Sequence, residues 1–327
     1  MKQNQFIEQQ RPLWDSFRHL VEQLEKPARK REAAEFEQLP ALYRRLCADY
    51  ALARHRHYST PLVDELHDLV QRGHRLLYRR KSLWLWRAMM FFWVDFPSAV
   101  RRHARAFWLS TALFYIPAIA MGLACYHDGD FIHTVMNNSE VSSFEYMYDP
   151  ANKKLGREEN RSSASDFAMF GYYIEHNIGI GFQTFAGGMM AGIGTVFAML
   201  FNGIIIGGVA GHITQLGFTE TFWPFVAGHS AFELTAICIS GAAGLLLAHA
   251  IIAPGRRKRG EALKLAALQA VTLMMGAALL LVCAAFIEAY WSSLRSIDPL
   301  VKYAVSGVLW LVIGLYLTFA GRGHHAA

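Results

Sequence analysis

The chain has 327 residues, 53% of them apolar, with 32 Lys and Arg against 26 Asp and Glu for a formal net charge of +6. Beyond Phe107 the apolar residues gather into uninterrupted blocks, and no Lys or Arg occurs from Ser162 to Gly255. That distribution excludes an ordinary soluble fold, whose surface interleaves polar positions, and defines an all-α polytopic membrane protein.

Residues 1–82 read as a helical hairpin region. Leu13, Phe17, Leu20, Val21 and Leu24 recur at helical spacing, Pro27 interrupts the run, and a second helix follows through Phe36, Leu39, Leu42, Leu46 and Leu52. Ser59-Thr60-Pro61 marks the start of a third helix carrying Leu62, Leu66, Leu69, Leu76 and Leu77. The opening residues hold no apolar run of the kind a cleaved signal peptide needs, so the expected first insertion signal is the span near Phe107. Arg and Lys crowd this region, as is usual for a segment facing an anionic cytoplasmic leaflet. No recognition motif accompanies the charge, and no nucleic-acid partner is expected.

Residues 83–106 form the predicted elbow. Leu83 to Phe96 is apolar, rich in Trp and too short to span, so it is expected to lie along the inner membrane surface and to end at Pro97, ahead of Arg101, Arg102, His103 and Arg105. The transmembrane domain then covers residues 107–327. Its first span, Phe107 to Tyr126, leads into a polar segment at 127–166 with eight carboxylates against four Lys and Arg. The positive-inside rule places that acidic segment outside.

Further spans are predicted at Phe167–Met190, Gly192–Ile213, Phe222–Ile252, Leu263–Tyr290 and Leu300–Ala320. Six crossings return Arg256-Arg257-Lys258-Arg259 and Arg322 to the cytoplasm, with both termini inside a bacterial inner membrane. The stretch from Phe167 to Ile213 is glycine-rich, and Asn177-Ile178-Gly179 offers a place for a helix to break. Close helix packing is the competing explanation for Gly192 and Gly194. Gly203, Gly207 and Gly211, spaced four apart, present one smooth ridge suited to an internal or a homodimeric contact. The four cysteines, Cys47, Cys125, Cys238 and Cys283, lack paired spacing and imply neither a disulfide framework nor a zinc knuckle.

Hydrocarbon penalises charge, so polar residues at membrane depth carry the functional information. They are Glu175, His176 and Asn177 in the second span, Asn202 in the third, and His229 and Glu233 in the fourth. His229 and Glu233 are four apart and share one helical face. Three chemistries suit this set: a buried polar clasp, a water-lined or proton-linked path, and a metal site from His176, His229 and Glu233, with Glu175 as a further ligand. The HxxxE pair is a weaker signal than HExxH, which is absent, as are the GxSxG elbow, the P-loop and the dinucleotide fingerprint. No catalytic residue and no cofactor are expected.

The run from Asn177 to Gly207, NIGIGFQTFAGGMMAGIGTVFAMLFNGIIIG, resembles the central signature of the stage II sporulation protein M family of integral membrane proteins. Gly228 to Gly244, GHSAFELTAICISGAAG, is similar to that family's other hallmark. The resemblance carries Asn177, Gly192, Gly194, Asn202, Gly203, Gly207, His229, Glu233, Gly241 and Gly244, and departs from the family's Asn-rich pattern at Glu175-His176. It implies, in sporulating bacteria, a membrane scaffold that holds cell-wall hydrolases together. The missing catalytic signature and the two extramembrane surfaces lead to the expectation of a non-enzymatic assembly factor, homodimeric, with envelope and cytosolic protein partners besides the lipid bilayer. The polar cluster motivates two alternatives, a small-molecule or ion transport component and a zinc-dependent intramembrane hydrolase.

Overall fold

The computed structural model describes residues 2–25, 39–77, 84–151, 163–294 and 296–323, and all regular secondary structure among them is helical. The backbone separates into two compact units, Met1–Leu85 and Trp86–Ala327.

The first unit holds α1 (Gln3–Glu25), α2 (Leu39–His55) and α3 (Thr60–Leu77). The apolar spacing of α1 puts Phe6, Trp14, Phe17 and Val21 on one stripe, which closes over Leu46 of α2 and Leu62, Leu66 and Leu69 of α3. Trp14 Nε1 donates to Asp49 Oδ2 at 2.9 Å, and Arg18 pairs with Glu65 at 2.5 Å. Pro61 sits in the first turn of α3, where its missing N–H costs no hydrogen bond. None of these three helices is among those long and apolar enough to cross a membrane. The predicted beginning of the second helix around Phe36 lies outside the described residues.

The second unit opens within α4 (Trp84–Met90), which a π-turn at Phe91–Asp95 and α5 (Phe96–Arg102) follow. Pro97 therefore does not end the elbow, contrary to expectation. It occupies the first turn of α5, and the wider π-turn before it absorbs the lost backbone bond. Trp84, Trp86, Met89 and Trp93 stay exposed, whereas Phe96 is fully buried among Leu273, Ala277 and the open face of Gly276. Phe92 stacks on Tyr316 with ring centroids 5.0 Å apart, and Arg101 Nη1 donates to Leu317 O at 2.8 Å, capping the last helix. Phe96 is thus the nail of the elbow. Phe96→Ala is expected to destabilise the second unit by about 3–5 kcal/mol, measured as a fall in the thermal unfolding midpoint in detergent.

The bundle consists of α6 (Ala104–His127), α8 (Ser163–Ala186), α9 (Ile193–Gln215), α10 (Thr219–Ile252), α11 (Arg259–Ile287) and α12 (Pro299–Phe319). Between α6 and α8 lie a 3-10 turn at Gly129–Thr134 and α7 (Asn138–Tyr148). Among the described residues, five helices are long and apolar enough to span: α6, α9, α10, α11 with its following π-turn, and α12. The sixth expected crossing falls on α8, where Asp166, Glu175, His176 and Asn177 lower the apolarity. α10 is the most buried span; its 34 residues make ~50 Å of helix, longer than the ~30 Å hydrocarbon layer.

Two glycine contacts explain the close approach of these helices. The ridge of Gly203, Gly207 and Gly211 on α9 faces the carbonyl oxygens of Phe114, Ala118 and Gly122 on α6. Of the two contacts the ridge could serve, the internal one occupies it. The chain reverses between α8 and α9 through the 3-10 turn Gly187–Met189, with Ala191 at φ 52° and Gly192 at φ 86°. Gly187 lies against Gly194, and Gly188 against Gly244 of α10. The break is here and not at Asn177–Gly179, because α8 runs unbroken through that step with open space beside Gly179.

The segment after α6 is less uniformly polar than its composition implies. A capping box of Asn137 and Glu140 starts α7, and Ile132, Met136, Val141 and Tyr148 pack onto Val209, Ile213 and Phe222. The buried His212 Nε2 meets Glu145 Oε1 at 2.8 Å. Thus α7 caps the end of the bundle where α9 finishes and α10 begins. Glu145→Ala leaves a buried imidazole without that partner and is expected to loosen the cap by about 1–3 kcal/mol. Faster amide exchange confined to 138–148 is the expected readout.

Candidate functional site

Apart from His212, the buried charged side chains among the described residues of the second unit gather around one partly buried pair on α10. His229 and Glu233, one turn apart on α10, bring Nε2 and Oε2 to 3.4 Å. Across from them α11 widens into the π-turn Glu288–Ser292, a local loosening that turns the Glu288 carboxyl inward. Glu288 is 8% exposed and His229 6%. One ligand atom from each of His229, Glu233 and Glu288 lies within 4.8 Å of the other two.

Neighbouring groups orient this triad. Ser292 Oγ is 3.3 Å from His229 Nδ1, and Phe225 presses edge-on against the imidazole. Lys302 of α12, 4% exposed, donates from Nζ to Ser292 O at 2.8 Å. From α8, the buried Asn177 sits close enough to influence the Glu288 carboxyl, and its Nδ2 makes no hydrogen bond of regular geometry. Four helices therefore contribute one polar knot: Asn177 from α8, His229 and Glu233 from α10, Glu288 and Ser292 from α11 and its π-turn, and Lys302 from α12. Such a knot can hold a proton, a cation or a water, because it combines acceptors, an imidazole and a fixed ammonium.

The residues anticipated from sequence divide cleanly. His229, Glu233 and Asn177 are brought together. Glu175 and His176 are exposed, on the side of α8 away from Asn177, and His176 stacks on Tyr172 at 5.7 Å. Asn202 gives its amide to Ala198 O of its own helix at 2.8 Å. The metal set expected from His176, His229 and Glu233 is thus corrected, with Glu288 standing where His176 was expected. A helix turns 100° per residue, so the side chain next to a buried Asn177 points outward. Glu288 and Lys302 escaped notice because each stands near the end of a predicted span, where a charge normally snorkels to the interface. The four cysteines are free.

Fold and knot together define a polytopic helical membrane protein with a largely buried ionisable cluster in its bundle. The model of stage II sporulation protein M matches residues 110–293, and the chain belongs to that family. Residues 4–79 match a second model, a domain of unknown function (DUF8413). No curated protein and no solved structure matches the chain.

Proposed function

We propose that the protein is a membrane assembly factor of the bacterial envelope, non-enzymatic, which holds partner proteins on the two sides of the inner membrane. The observation that carries this reading is the first unit. It is a three-helix body with its own Trp14- and Phe17-centred core and its own family match, compact in itself. The capping helix α7 supplies a structured surface at one end of the bundle. The opposite end gathers Arg101, Arg322 and the Arg256–Arg259 run, which supports placing both termini in the cytoplasm.

Crosslinking and co-purification of the full chain from native membranes are expected to recover a stable partner. Deletion of residues 1–82 should release the cytosolic partner and leave the bundle inserted. Repeated recovery of the chain alone, or of copies of the chain only, overturns the reading.

A transport role is the second reading, favoured by the knot itself. It expects His229→Ala and Glu233→Gln to change H⁺ or Zn²⁺ flux in proteoliposomes with the fold intact, and unchanged flux removes it.

A further inference from the structure

We propose that His229, Glu233 and Glu288 form a binding site for one divalent transition-metal cation of the zinc class, which ties α10 to the π-turn after α11.

The spacing is the first argument. At 3.4 Å, His229 Nε2 and Glu233 Oε2 are too far apart for a charge-assisted hydrogen bond, which closes to about 2.7–2.9 Å. Around a tetrahedral ion with bonds of about 2.0–2.2 Å, neighbouring ligand atoms stand about 3.4 Å apart. The third ligand atom, from Glu288, lies within 4.8 Å of the other two, at most about 1.4 Å beyond that tetrahedral spacing. A carboxylate covers that difference by rotation about its side-chain torsions.

The surroundings are the second argument. A metal-bound imidazole usually gives its other N–H to an oxygen, and Ser292 Oγ stands 3.3 Å from Nδ1 to receive it. With Nδ1–H so engaged, the Nε2 lone pair faces a carboxylate oxygen, an arrangement of two acceptors that a cation between them resolves. Asn177, only 5% exposed and next to this cluster, has its amide nitrogen unpartnered, so its side chain is available to steady the ligating carboxylate of Glu288. Two carboxylates balance one divalent charge, leaving Lys302 to its bond with Ser292 O. One imidazole with two carboxylates suits Zn²⁺ and its first-row neighbours better than Ca²⁺ or Mg²⁺, which take oxygen ligands. The site stands independently of either functional reading above.

The test uses the full chain in lipid nanodiscs, stripped with chelator and titrated with Zn²⁺, in a background with His324→Ala and His325→Ala to remove the histidines of the tail. About one tightly held Zn²⁺ per chain is expected by elemental analysis. Glu288→Gln and His229→Ala should each weaken binding by ~100-fold, and Ser292→Ala by ~10-fold as a second-layer effect. X-ray absorption at the zinc edge of the unsubstituted site should show one imidazole, oxygen ligands and no sulfur, a readout that survives if a variant fails to fold. No uptake, uptake unchanged by Glu288→Gln, or a spectrum with sulfur or several imidazoles overturns the assignment.

Discussion

Gly207→Leu is expected to abolish the folded state of the bundle, or to lower its stability by more than about 3 kcal/mol. Glycine at this position lets α9 lie with its backbone against the Ala118 carbonyl of α6, and any Cβ placed there would fall inside that oxygen's contact radius. Neither partner can yield, because both sides of the contact are main chain, held in place by their own helical hydrogen bonds. Gly203 and Gly211 make the same contact one turn away on either side, so the helices cannot pivot around the intruding side chain. Gly179→Leu on α8 is the matched control, since nothing lies within 4 Å of its added Cβ. Unfolding midpoints in detergent should separate the two variants widely. A Gly207→Leu protein as stable as the Gly179→Leu control would mean that α6 and α9 are not packed in this register.

Lys302→Met is expected to cost roughly 3 kcal/mol, because it strips a buried ammonium from its bond with Ser292 O, next to the Glu288 carboxyl. The methionine fills much of the same volume, so the loss reads charge and hydrogen bonding more than packing. Ser292 O, which accepts from Lys302 Nζ at 2.8 Å, is left with one donor fewer inside a π-turn whose backbone ladder is already irregular. The double variant Lys302→Met/Glu288→Gln should recover part of the stability, since it removes a negative charge together with the positive one. A double-mutant cycle on unfolding free energies measures that coupling. Additive losses would show that the ammonium and the Glu288 carboxyl do not feel each other.

Much of the architecture was legible in the sequence because the bilayer enforces it locally. The apolar blocks, the elbow tryptophans and the four-residue glycine spacing each announce themselves within a single helix, and each has a counterpart in the fold. The candidate site was legible only where it is local. His229 and Glu233 share one helix and one face, and Asn177 opens the family-like run. Glu288 and Lys302 join them through tertiary packing across three helices, which no spacing rule on one strand of text encodes. Glu175 and His176 failed for the converse reason, since adjacency in sequence on a helix means divergence in space. The boundary between the second and third spans fell where expected, close to Ala191, whereas the further break offered at Asn177–Gly179 is absent; Gly179 and Gly188 look alike as letters. They differ in what faces them, open space in one case and the Gly244 carbonyl in the other.

The hairpin at Ala191–Gly192 bears on biosynthesis. α8 is too polar to partition into lipid by itself, whereas α9 partitions readily, and only six residues, 187–192, join them. The pair must leave the translocon as one body, with the polar partner carried by the greasy one. Lengthening that joint with a flexible insert would uncouple the two and strand α8, and Asn177 with it, outside the membrane.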